Sequence, residues 1–440
     1  MASIFKAYDI RGIYGDTLTD GLAYQLGRAF ATFLPACRKV VVGRDMRPHS
    51  EPLFTALARG LNEQGVTVID LGLCSTPMSY YANGKLGADA GIMITASHNP
   101  GEYNGFKLSR EQGIPISGAT GIKELERLVN EGTFAPPAAQ PAGIETYDIV
   151  PEYTAHFRAF AELTRPVKVA IDYANGMGLY EGKTLEGVLE ITPLFDTLDG
   201  TFPNHEANPL HAETFEPLQA AIRAGAYDFG IYFDGDADRA GFTDETGAIV
   251  SNDMITALIA QAILKKEKGA VFYDLRSSRA VKEVIVESGG TAHMSRVGHA
   301  FIKEQMRAAN AVFAGELSGH YYFRENWFTE SAALAALFIA NLVSQSGQTL
   351  SELVRPIQRY HTSGEINSTV ADVDAIFRKL RAAYPDGEVI ELDGLSIVYA
   401  DWWFNVRASN TEPLVRLNLE ADTRADMERR RDDVLAIIRG

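Results

Sequence analysis

The sequence predicts an α/β protein: three similar mixed-sheet α/β domains, then a smaller α+β C-terminal domain, arranged around a central cleft. Three observations predict it. Short β-rich runs alternate with longer helical stretches, which is the pattern of layered α/β folds. Three segments repeat one order of strand, helix, strand, helix, strand, each ending in a loop of small and polar residues. The chain has 440 residues, more than one ordinary core fills, and domains of roughly 100–200 residues make that three or four units.

The first segment contains KVVVGRD (39–45), VTVIDLG (66–72) and AGIMITASHNP (90–100). The second contains VKVAIDYANG (167–176), ITPLFDT (191–197) and FGIYFDGDADR (229–239). The third contains AVFYDLRSS (270–278), TAHMSRVGH (291–299) and AVFAGELSGH (311–320). The period is domain-sized, so the repeat is no solenoid. Open α/β sheets bind ligands outside the carboxyl ends of their strands. Three such ends would offer three loops to one cleft.

FAPPAAQPAG (134–143) reads as a linker or an exposed excursion, and FTDETGAIV (242–250) as a hairpin closing the second segment. AALAALFIANLV (332–343) is too short to span a bilayer and reads as a buried helix. After about residue 361 the pattern changes. ADVDAIFRKLRAAY (371–384) has the apolar spacing of an amphipathic helix. VIELDGLSIVYADWWFNVRAS reads as a two-stranded hairpin, PLVRLNLEA as a further strand and RADMERRRDDVLAIIRG as a closing helix. One of Trp402 and Trp403 should pack in that core. The expected domains are 1–142, 143–249, 250–360 and 361–440.

Apolar residues make up 46% and charged residues 22%, the balance of a globular protein. With 41 basic and 57 acidic residues the net charge is −16. That argues against general nucleic-acid or anionic-membrane binding and makes any local Arg/Lys cluster informative. Two cysteines, Cys37 and Cys74, are no disulfide framework, so a reducing compartment fits. The start MASIFKAYDIRG has no apolar signal core, and a cytoplasmic protein is expected.

Four loops carry chemistry. In TASHNP (95–100), Ser97 follows a strand among small residues, with His98 beside it and Lys107 further on. A serine nucleophile needs activation or an already phosphorylated state; without a Gly-x-Ser-x-Gly elbow, acyl chemistry is disfavoured. Alone, Ser97 is more often a turn serine. In DGDADR (234–239), Asp234, Asp236 and Asp238 alternate after an apolar strand, and packed carboxylates call for a hard divalent cation. An EF-hand would need Gly at Arg239 and a preceding helix, so it is rejected. An aspartyl-phosphate phosphatase would make Asp234 the nucleophile. In GELSGH (315–320), Glu316, Ser318 and His320 alternate, so an extended loop would present them on one side. In RASNTEP (407–413), Arg407, Ser409, Asn410 and Thr411 suit a phosphate dianion. The last two loops, standing alone, are ordinary polar turns.

Together with FKAYDIRG (5–12), these four motifs occur in the order found in the α-D-phosphohexomutase family, and the chain resembles its bacterial phosphomannomutase/phosphoglucomutase branch over essentially its whole length. The resemblance implies a phosphoserine at Ser97, Mg²⁺ on Asp234, Asp236 and Asp238 with a phosphoserine oxygen, and sugar contacts from Glu316 and Ser318. It implies a distal phosphate clamp from Arg407, Ser409, Asn410 and Thr411. Tyr8, Arg11, His98, Lys107, Arg239, Arg276, Gly298, His299 and His320 also fall on family site positions, with Lys107 and His299 as proton-transfer candidates. Ala237 stands where the family more often has Gly, which is read as a demand for small size only. Arg276 replaces a common Lys, and NWFTES (326–331) departs from an Asp-rich stretch.

The implied reaction interconverts hexose 6-phosphate and hexose 1-phosphate through phospho-Ser97 and a hexose 1,6-bisphosphate, which also serves as activator. The bisphosphate turns end over end between two transfers, and the fourth domain is expected to close on ligand. The alternatives are a phosphoglucosamine mutase, disfavoured by Leu317 and Asn410, a magnesium-dependent phosphatase using Asp234, and a non-enzymatic sugar-phosphate sensor. The expected partner is a small phosphosugar, in a monomer or dimer.

Overall fold

The computed structural model describes residues 3–408 and 414–440. Its first sheet holds β1 (Ile10–Ile13), β2 (Lys39–Arg44), β3 (Thr67–Leu73), β4 (Ala90–Ile94), β5 (Tyr103–Arg110) and β6 (Ile144–Thr146) in the order β1-β5-β4-β2-β3-β6. The second holds β7 (Lys168–Asp172), β8 (Glu190–Leu194), β9 (Phe229–Phe233), β10 (Ala240–Thr243) and β11 (Ile249–Val250) in the order β11-β10-β9-β7-β8. The third holds β12 (Ala270–Asp274), β13 (Thr291–Ser295), β14 (Phe313–Gly315), β15 (Tyr321–Phe323) and β16 (Thr329–Glu330) in the order β13-β12-β14-β15-β16.

The same unit recurs three times. A central strand pairs in parallel with two neighbours reached through helices, and an antiparallel strand follows the second of them. The outer fifth place is taken by β1 in the first sheet and by a following strand in the other two. TASHNP, DGDADR and ELSGH thus occupy one topological position, the turn from β4 to β5, from β9 to β10 and from β14 to β15. β6 extends the first sheet beyond residue 142. A boundary at 142 therefore omits an edge strand, whose three exposed residues carry no periodicity to reveal it.

The fourth sheet is antiparallel. It contains β17 (His361–Thr362), β18 (Ile366–Thr369), β19 (Glu388–Ile390), β20 (Leu395–Val398), β21 (Trp402–Ala408) and β22 (Leu414–Ala421). The expected two-stranded hairpin is three strands, because Asp393–Gly394 makes an extra turn, with Gly394 at φ +74°. Both tryptophans are buried. Trp402 stacks on Tyr399 in the core, and Trp403 donates its Nε1 to Glu420 Oε1 at 2.9 Å.

One apolar core runs through the first three units, the first unit has a second core of its own, and the fourth has its own. The helix Ala332–Ser346 explains the shared core. Ser331 caps it by accepting the Leu334 N–H, and Gly347 at φ +68° ends it. Leu334, Ile339 and Val343 are fully buried, each contributing about 2 kcal/mol relative to exposure. Among the described residues, no helix is long and apolar enough to cross a membrane.

Candidate active site

The serine loop is held in an unfavourable shape. Ser97 has φ +53°, a left-handed conformation that costs an L-residue about 1–2 kcal/mol. Arg47 sustains it. Its fully buried guanidinium donates to the carbonyls of Ser97 (3.0 Å), Asn99 (2.6 Å), Pro100 (2.7 Å) and Tyr103 (2.8 Å), and its Nε to Asp45 (3.1 Å). The Ser97 N–H is taken by Thr95 Oγ1 at 2.8 Å. The hydroxyl is aimed at the second sheet: Oγ lies 3.1 Å from Asp234 Oδ2 and 3.2 Å from His98 Nδ1. Burial, reinforced by Arg239 and Arg11, holds His98 well below the ordinary histidine range, so it is neutral. Arg11 pairs with Asp9 and reaches Asn99 Oδ1 at 2.5 Å.

Behind the acidic loop, β9 is buried along its whole length, which fixes where the three aspartates emerge. Asp234, Asp236 and Asp238 each offer an oxygen, all within 4.8 Å of one another. Burial, then Asp238 and Asp236, push the Asp234 carboxyl up to about 8. Asp236 Oδ1 and Asp238 Oδ1 are buried without a hydrogen-bond partner. Orphaned hard oxygens around shared negative charge fit a hard divalent cation. Lys107 Nζ lies on Asp236 Oδ2 at 2.6 Å and also binds Asp238 Oδ2, while Thr76 Oγ1 donates to Asp236 Oδ2 at 2.6 Å. The two carboxylates overcome burial and raise Lys107 well above the ordinary lysine range. Lys107, expected among the proton-transfer candidates, is thus held as an ammonium paired with two carboxylates. Ala237 sits at φ +60°. The family's Gly there answers a backbone need, which the reading of mere small size missed.

The third loop is a tight turn, with Glu316 N–H to His320 O and Gly319 N–H to Glu316 O, both at 3.0 Å. The expected extended loop is corrected: the β14–β15 hairpin leaves only a reverse turn. The turn still gathers the predicted side chains. Ser318 Oγ is 2.9 Å from His320 Nδ1, and His320 Nε2 is 3.4 Å from Asp238 Oδ1. Burial opposes a charge on His320, but Asp238 and Glu316 prevail and raise it to about 9. Glu316 accepts from Tyr322 Oη at 2.5 Å and from Gly298 N–H at 3.0 Å. Gly298, at φ +129°, leaves no room for a side chain, since a Cβ would lie 2.9 Å from Tyr8 Oη. The Tyr8 ring packs edge-on against His299. His299 Nδ1 faces Glu330 at 3.4 Å, and Lys303 holds Glu330 from the other side at 2.9 Å. Burial and Lys303 lower His299 below its ordinary range.

A cavity of about 630 Å³ is lined both by several of these groups and by a cationic cluster. His98, Arg239, His299 and Glu316 belong to the first set, and Arg276, Glu365, Arg407 and Arg416 to the second. Asp274 orients Arg276 through Nε and Nη2, at 3.2 and 2.6 Å. Ser409, Asn410 and Thr411, expected in the phosphate clamp, lie outside the described residues.

Sequence reasoning missed Arg47, Thr76, Asp274, Glu330 and Glu365. Arg47 carried a faint signal in GRDMRP, an arginine three residues past a strand end and near Asp45. The others act across long chain separations that no local motif encodes.

Each of the four sheets overlaps a region that matches a known family. Residues 2–136, 151–247 and 251–360 match the alpha/beta/alpha domains I, II and III described as phosphoglucomutase/phosphomannomutase. Residues 365–437 match the C-terminal domain of the same description. The chain is 40% identical to a phosphomannomutase from Salmonella montevideo, over 99% of this chain and 98% of that protein. It is 41% identical to a protein named phosphohexose mutases from Xanthomonas campestris pv. campestris, over 99% of both. A crystal structure of a phosphoglucomutase/phosphomannomutase family protein from Burkholderia thailandensis superposes with a TM-score of 0.91 at 33% identity, covering 99% of this chain and 97% of that one.

Proposed function

This chain belongs to the phosphoglucomutase/phosphomannomutase family, and from that premise we propose that it interconverts hexose 6-phosphate and hexose 1-phosphate through phospho-Ser97 and a hexose 1,6-bisphosphate. The observation that carries this reading is the meeting of Ser97 with Asp234, 3.1 Å apart, beside His98 and Arg239, which line a cleft shared with an arginine cluster. That combination suits a substrate phosphorylated at one end and reactive at the other.

In the first transfer a free sugar hydroxyl attacks the phosphorus on Ser97, the P–Oγ bond breaks, and the departing Oγ takes up a proton to become the serine hydroxyl. The sugar hydroxyl's proton passes to a neutral imidazole, for which His299 is the candidate. Lys107 and Arg239 stay charged beside the transferring oxygens, and positioning plus charge is most of what phosphoryl transfer needs. Arg407 and Arg276 hold the second phosphate. Once the bisphosphate has turned, that phosphate returns to Ser97. Mg²⁺ bound by Asp234, Asp236, Asp238 and a phosphoserine oxygen would neutralise charge on the transferring group. On this reading residues 1–142 supply the phosphoserine, 143–249 the metal, 250–360 the sugar contacts and 361–440 the distal phosphate contacts. Hexose 1,6-bisphosphate would activate by phosphorylating Ser97, and closure of the fourth domain would exclude water.

The test combines intact mass before and after phosphatase treatment with assays on mannose 1-phosphate, glucose 1-phosphate and glucosamine 1-phosphate, with bisphosphate as activator. Ser97→Ala should lose both the phosphoryl mass and all turnover. Retained turnover with release of inorganic phosphate would instead support the phosphatase reading through Asp234. Preference for glucosamine 1-phosphate would reassign the substrate and leave the mechanism intact.

A further inference from the structure

Glu365 lies just before β18 and places its carboxylate among three arginines on the cleft wall. Oε2 accepts from Arg407 Nη2 at 2.8 Å and lies 3.8 Å from Arg276 Nη1. Asn418 Nδ2 approaches it at 3.5 Å, and Oε1 is 3.7 Å from Arg416 Nη1. Asp274 already consumes two of the donors of Arg276, so its Nη1 is the face turned to Glu365. With Asp274 counted against Arg276, two positive charges remain on the cluster, and Glu365 cancels one of them. Although burial opposes it, the arginines, Arg407 foremost, hold the carboxyl below its ordinary range.

We propose that Glu365 is an internal anion that competes with the substrate's distal phosphate for Arg407, Arg276 and Arg416. The proposal rests on the hexose-phosphate reading. A carboxylate offers two oxygens in a plane, and a phosphate dianion offers three with greater charge. Arg407 has N–H donors to spare, but a carboxylate and a phosphate side by side on it repel, so phosphate gains its full hold on the guanidiniums only as Glu365 leaves. The reaction gives this competition a use. The clamp must release one end of a bisphosphate and take the other in every cycle, and a clamp that only attracts would retain the intermediate. A resident carboxylate that re-occupies the guanidiniums as the phosphate departs lowers affinity and hastens release. Glu365 is therefore a positioning residue that sets how long the intermediate stays clamped.

The test is inorganic phosphate titrated calorimetrically into wild type, Glu365→Gln and Glu365→Asp, with melting curves as the folding control. Glu365→Gln should bind phosphate about tenfold more tightly, the scale of one charge-assisted hydrogen bond, and Glu365→Asp should fall between. The gain should vanish in the Glu365→Gln, Arg407→Ala double variant, which separates the arginine end from phosphate bound near Ser97. In turnover, Glu365→Gln should lower KM and kcat together. Weaker or unchanged phosphate binding in Glu365→Gln, or a gain that survives loss of Arg407, would overturn the proposal and mark Glu365 as a structural organiser of the arginines. Because the titration needs no turnover, a chain inactive on all three sugar phosphates would sink the mutase reading without touching the phosphate result.

Discussion

Ser97 Oγ and Asp234 Oδ2 lie 3.1 Å apart although 137 positions separate them in the chain. The approach depends on Gly235, where a Cβ would fall 2.4 Å from the Ser97 carbonyl oxygen. Gly235→Ala should push the serine and acidic loops apart while the sheets stay intact. A misplacement of about 1 Å can cost on the order of a hundredfold in rate, so kcat should fall by that order with little change in melting temperature. Kinetics and melting of one preparation check this; undiminished kcat would show that the contact is dispensable.

The acidic loop should answer to metal. Mg²⁺ at a hundred times its dissociation constant should stabilise the fold by about 2.7 kcal/mol, read as a rise in melting temperature that EDTA reverses. Asp236→Asn and Asp238→Asn, which alter the two carboxylates with an oxygen lacking a hydrogen-bond partner, should abolish the rise. Equal metal responses in wild type and variants would place the cation elsewhere.

Arg47→Lys tests the support of the serine loop. One ammonium cannot serve four carbonyls, and each buried acceptor left bare costs about 1–3 kcal/mol. Amide exchange should quicken at residues 95–103, and kcat should drop more than KM rises. Protection equal to wild type would mean that the loop keeps its shape unaided.

Glu181 gives a pH signature remote from the reaction. It is fully buried on the helix Gly178–Leu185 and accepts from Ser75 and Tyr153. Burial raises its carboxyl from 4.5 to about 7. The folded state therefore favours the protonated form. That stability is fully present below pH 4.5, drains away as the pH rises to about 7 and is gone above it, a change of about 3 kcal/mol. Glu181→Gln should gain on wild type in melting temperature between about pH 5 and pH 8. A difference that stays constant with pH would show that Glu181 does not titrate in that window.

Much of the fold was legible because it is written locally. Apolar strands, the buried helix at 332–343 and three repeated segments give the layers, and five motifs in order give the family. What stayed illegible is written between segments. Nothing near Lys107 in the chain says that it will rest on Asp236 and Asp238, and nothing near Glu365 announces Arg407. The alternation in GELSGH was a true signal with a wrong geometry, because a three-residue strand on either side forces a reverse turn. Ala237 was read by volume when its backbone angle mattered. β6 and three strands of the tail were missed because runs of two to four residues are too short to show a period.

The apolar core shared by the first three units also bears on how such a protein can be altered by recombination. A fragment encoding one of the repeats would carry an unfinished apolar surface and aggregate before it could be selected. The C-terminal portion, complete in itself, could be exchanged whole between related genes. Inherited novelty in phosphate handling can therefore arrive as a module, whereas novelty around the serine and the aspartates must be acquired one substitution at a time.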